Sequence, residues 1–128
     1  MMIRILLLPV GGRPEVRNIN PDLESQQAIV GGLIEHVRLD GNLILVVNEE
    51  GKCIGLKPNR ALRDKAGRRF DVVVGDAFIT RIAGPVVEDY VDLTDADVAH
   101  WSRVFERPLP EDHPAVEPDA GFVAGWQD

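Results

Sequence analysis

Apolar positions fall in short runs separated by glycine, proline, asparagine and aspartate, and the period of the runs changes along the chain. From Met2 to Val10 nearly every residue is apolar, which predicts a first strand covered on both faces. Gly11-Gly12-Arg13-Pro14 marks a turn, and Glu15 to Ile19, with Val16 and Ile19 apolar, suits a hairpin partner for that strand. Asn20-Pro21-Asp22 announces a helix from Pro21 to Val30. Asn20 can cap free N–H groups, Pro21 fits the first helical position, and Asp22 and Glu24 complement the positive end of the dipole. Leu23, Gln27 and Val30 form its expected inner face, with Ala28 and Ile29 at the edge, and Gly31-Gly32 ends it.

Leu33 to Leu39 alternates, with Glu35 breaking the pattern, and Asp40-Gly41-Asn42 is a tight hairpin signal. Leu43 to Val47 is a continuous run of Leu and β-branched residues, the expected central strand. Gly51 and Gly55 mark irregular backbone, and Asn59 to Leu62 suits a short helical turn. Phe70 to Val74 and Ala77 to Ile82 read as a strand pair around Gly75-Asp76, while Val86 to Asp92 is ambiguous. Thr94 caps a last helix from Asp95 to Phe105, with Val98, Trp101 and Phe105 on one face. The pattern predicts an α+β fold: a mostly antiparallel sheet of five or six strands with two helices. It occupies residues 1–107, and an acidic Pro/Gly-rich tail over 108–128 has the composition of disordered chain.

A chain of 128 residues suits one domain, and its single cysteine, Cys53, excludes an intrachain disulfide. The apolar N-terminal run is far shorter than a membrane span and lacks a cleavage signal, so a cytoplasmic location is expected. Charge adds more. The net charge is −7, yet Lys57, Arg60, Arg63, Lys65, Arg68 and Arg69 cluster between residues 57 and 69 against Asp64 alone. An acidic body opposes extended nucleic acid, whereas a local cationic segment can hold a small anion.

One stretch carries a resemblance. Gly31-Gly32-Leu33-Ile34-Glu35, Asn48-Glu49-Glu50-Gly51-Lys52 and Gly55-Leu56-Lys57-Pro58-Asn59-Arg60-Ala61, with the preceding strand and the Gly75-Asp76 pair, resemble the family called domain of unknown function 3846. The resemblance covers Ile3 to Ile82 and leaves the last helix and tail outside. It implies a fold and a phage, actinobacterial or mobile-element setting, and no reaction.

The candidate ligand site is Asn48, Glu50, Lys57, Asn59, Arg60 and Arg63, where Asn donors and a forked guanidinium beside a glycine-bent loop could bind an anion or nucleotide. In the mobile-element setting such a ligand would be a host defence signal. Alternatively, Asn48 and Asn59 stabilise turns while Arg60 pairs with Glu49 or Glu50. Two rival classes stand beside the binder. One is an interaction module acting on a host protein through the acidic surface and Trp101, Phe122 and Trp126. The other is an enzyme with Glu49 or Glu50 as base. The histidines and the lone cysteine show no metal-ligand spacing, so no metal or cofactor is expected. A homo-oligomer is compatible with the pattern.

Overall fold

The computed structural model describes residues 1–86 and 89–114. Its elements are β1 (Ile3–Leu8), β2 (Glu15–Ile19), α1 (Leu23–Val30), β3 (Ile34–Asp40), β4 (Leu43–Asn48), β5 (Pro58–Arg63), β6 (Arg69–Val74), β7 (Ala77–Ile82), β8 (Tyr90–Val91) and α2 (Asp95–Val104). The main sheet runs β2-β1-β7-β4-β3, with β8 added beside β7, and every pairing is antiparallel. β5 and β6 form a separate two-stranded sheet. The expected α+β fold is therefore observed.

Alternation along each strand divides the core in two. Leu6, Leu8, Leu45 and Ile79 face a layer made by Leu62, Val73, Leu93 and Phe105, drawn from the β5–β6 hairpin and the region of α2. Ile3, Ile5, Ile44, Val46, Phe78 and Ile82 face the other way, onto Val30 of α1. Covering both faces accounts for the nearly continuous apolar runs of β1 and β4.

Several expectations shift. The middle strand is β7, with β4 next to it. β1 ends at Leu8, and β6 and β7 do not pair with each other: their chain crosses between the two sheets at Gly75, whose φ is +77°. Asn59 to Leu62 is strand, not a helical turn, because Leu62 enters the core while β6 completes its ladder. In α1 the cap is Asp22 rather than Asn20, since the Asp22 carboxylate accepts from Ser25 N at 2.7 Å. The buried α1 residues are Gln26 and Val30, and Leu23 is exposed; Gln26 Nε2 donates to Pro21 O at 3.0 Å, which meets part of its polar demand. Among the described residues no helix is long and apolar enough to cross a membrane.

α2 is fastened by one carboxylate. Asp97 Oδ2 accepts from the Thr94 N–H at 2.9 Å while Thr94 Oγ1 accepts from Asp97 N at 3.0 Å, a closed capping box. The Arg81 guanidinium on β7 grips the same carboxylate at 2.7 and 2.8 Å. These bonds, that from Arg81 foremost, hold the Asp97 carboxyl down to about 2. A carboxyl that titrates lower when folded adds stability above its unfolded value of 3.8, and that contribution fades as pH falls toward 2. Asp97→Asn is expected to cost about 2 kcal/mol at neutral pH. In urea unfolding the gap from wild type should close toward zero near pH 2, and a gap constant across pH would contradict the pairing.

Candidate functional site

The residues expected to bind a ligand arise where β4 ends and β5 begins. Asn48 closes β4 and is buried. Its Nδ2 donates to Val30 O at 3.1 Å and its Oδ1 accepts from Glu50 N at 2.8 Å, so it joins the end of α1 to the loop over residues 49–57. Gly32 lets this amide approach, for a Cβ there would lie 2.9 Å from Asn48 Nδ2. The loop then packs Leu56 against Gly75, where a Cβ would meet Leu56 Cδ1 at 2.6 Å.

Asn59 and Arg60 lie deeper still, at 0% and 1% exposure. Asn59 Nδ2 donates to Leu8 O at 2.7 Å and to Gly75 O at 2.8 Å. Its Oδ1 accepts from Arg60 Nη1 at 2.6 Å. The rest of the guanidinium points at carbonyls: Nε to Phe105 O at 2.8 Å, Nη1 to Pro9 O at 3.3 Å and Nη2 to Gly12 O at 2.5 Å. Among the described residues no carboxylate pairs with it. Burial alone pulls the group down to about 10, so it stays cationic at neutral pH. Asn48, Asn59 and Arg60 thus bond backbone; Asn48 caps its own turn as the alternative reading held, whereas Asn59 sits in β5 and holds carbonyls distant in sequence. The partners of Arg60, however, are carbonyls and not Glu49 or Glu50.

The other expected residues scatter. Glu50 is exposed on the turn after β4. Lys57 is exposed and pairs with Glu111, whose carboxyl it lowers. Arg63 is exposed and donates to Gly67 O at 3.1 Å. Trp101 is half-buried against the core and stacks on Phe105 with centroids 5.8 Å apart. Phe122 and Trp126 lie outside the described residues. The segment after Arg107 continues along the domain as far as the description reaches: Leu109 N donates to Asn59 O at 2.9 Å, and His113 meets Arg69 at 2.7 Å.

Two further charged groupings emerge, the first from residues far apart in the sequence and the second on the basic segment already singled out. Glu35 on β3 shares an environment with Glu49, Asp71 and Lys52, and its carboxyl is raised by burial first and then by the Glu49 and Asp71 charges. Lys52 pairs with Asp71 there. Its one sequence signal was the break in alternation at Glu35. The second is the turn joining β5 to β6. The Asp64 carboxylate accepts from Ala66 N and Arg68 N, both at 2.9 Å, and from Arg68 Nε at 3.1 Å, and Gly67 takes a φ of +81°. The one acid of the turn is thereby taken up by the turn itself, and Arg63, Lys65, Arg68 and Arg69 are all exposed around it.

An open antiparallel sheet covered by one helix on one face and by a hairpin and second helix on the other, with Asn48, Asn59 and Arg60 turned inward, defines the class: a small α+β domain. The family model described as Domain of unknown function (DUF3846) matches residues 3–106, and the chain belongs to that family. The match continues past Ile82 through α2, further than the sequence pattern alone indicated. No curated protein and no solved structure matches the chain.

Truncating Arg60 takes the donor from Phe105 O, Gly12 O and Asn59 Oδ1, so Arg60→Ala should cost at least about 3 kcal/mol. Arg60→Lys keeps the charge but loses the fork and should recover less than half of that. Urea unfolding of the two variants checks both values, and an Arg60→Ala protein as stable as wild type would refute the structural role.

Proposed function

We propose that the chain is a non-enzymatic binding domain that holds a small phosphate-bearing anion on the cationic turn between β5 and β6. The observation that carries this reading is the fate of Asp64. Its carboxylate is engaged by backbone N–H groups and by Arg68, which leaves Arg63, Lys65 and Arg69 as outward positive charge on a chain of net charge −7. A tight turn fixes the spacing of these side chains at little entropic cost, and guanidinium groups fork onto phosphate oxygens. The site lies on the expected basic segment, with Arg63 common to both, but it is a surface and not a pocket around Asn59 and Arg60.

Pyrophosphate and ATP are suitable probes. At 100 times its dissociation constant a ligand adds about 2.7 kcal/mol to stability, a clear rise in Tm. The rise should weaken with added salt and vanish in Arg63→Ala/Lys65→Ala/Arg69→Ala, a variant at exposed positions that should fold normally. No shift with either probe, or a shift preserved in the variant, would overturn the assignment.

A further inference from the structure

β2 is an edge strand with one side unoccupied among the described residues. Four of its five residues are exposed, and Val16 is 49% exposed. The hydrogen-bond register shows which backbone groups look outward. Arg4 N donates to Asp92 Oδ1 and Arg4 O accepts from Leu93 N, so the Arg4 backbone points away from β2. In an antiparallel ladder, successive residues bond to alternate sides. Ile3, Ile5 and Leu7 therefore bond toward β2, and their partners Ile19, Arg17 and Glu15 bond back. The N–H and C=O groups of Val16 and Asn18 are left facing out, a row that can template another strand.

The sequence of the strand selects its occupant. Placed antiparallel against itself with Val16 opposite Val16, the strand sets Glu15 opposite Arg17 twice, once on each side of the two-fold axis. Val16 is outward-facing in its backbone, so the central pair would exchange both main-chain hydrogen bonds. Successive side chains alternate, so Glu15 and Arg17 sit on one face and Val16 on the other, and residues directly opposite share a face. The central apolar pair and both charge pairs are thus satisfied together. Within one chain Arg17 already reaches Glu15 at 3.3 Å, but both side chains are about half exposed and free to turn outward. The opposite edge, β3, offers no such match: its ladder carries a register shift between Arg38 and Asp40, a feature that disfavours further pairing.

We propose that a second copy of this chain adds to β2 across a two-fold axis through Val16, making one continuous sheet. This surface is separate from the cationic turn at residues 63–69. Sedimentation velocity of the full chain should show a concentration-dependent monomer–dimer equilibrium. Glu15→Arg alone sets Arg opposite Arg, and Arg17→Glu alone sets Glu opposite Glu. Each should raise the dimer dissociation constant about tenfold or more. An equimolar mixture of the two variants restores opposite charges at every pair and should dimerise as well as wild type. Val16→Pro removes an N–H that no bond within the chain uses, so it should leave the fold intact and abolish the dimer. A wild-type chain that stays monomeric at every concentration would overturn the proposal. So would single variants that dimerise normally, or a mixture that fails to recover.

Discussion

A buried guanidinium that pairs with no carboxylate among the described residues ties the layers of this domain together. Arg60 reaches carbonyls at the end of β1, in the turn that follows it and at the end of α2, and it is braced by the side chain of its neighbour Asn59. A two-stranded hairpin is at best marginal in isolation, and β5–β6 shares no ladder with the main sheet. Its attachment comes from Leu62 and Val73 in the core and from this polar joint. The arrangement suits arginine because a planar fork of five donors can satisfy carbonyls of fixed position in several directions, which a lysine cannot.

That joint also explains the limits of sequence reading here. Strand and helix positions other than β5 were legible because period-2 alternation, a Thr94 cap and glycine stops are local signals. The two-sided burial of β1 was legible from its nearly continuous apolar run. The role of Asn59 and Arg60 was not. Their partners, Leu8, Pro9, Gly12, Gly75 and Phe105, lie far away in the chain, and a basic residue beside a glycine-bent loop has the same local appearance whether it points in or out. Glu35 shows the reverse case: a break in alternation was visible, while Asp71 and Lys52, which give it meaning, arrive only through folding.

Once the signature residues are assigned to architecture, surface chemistry separates into distinct regions. The turn at residues 63–69 is positive because its only acid caps its own backbone. The edge at β2 is polar but self-complementary. Asp97 performs a third kind of work, closing α2 onto β7 through Arg81. In each case a charged side chain is defined by what its own backbone neighbours leave free, so net charge alone says little about where a partner would land.

The inward role of Arg60 can be read directly from the exchange of its Nε proton with water, followed by NMR on the full chain. Held against Phe105 O and shielded from solvent, that proton should exchange orders of magnitude more slowly than the Nε protons of the exposed Arg63 and Arg68. An Arg60 Nε proton lost as fast as theirs would mean that the guanidinium faces water and that the two layers are joined in some other way.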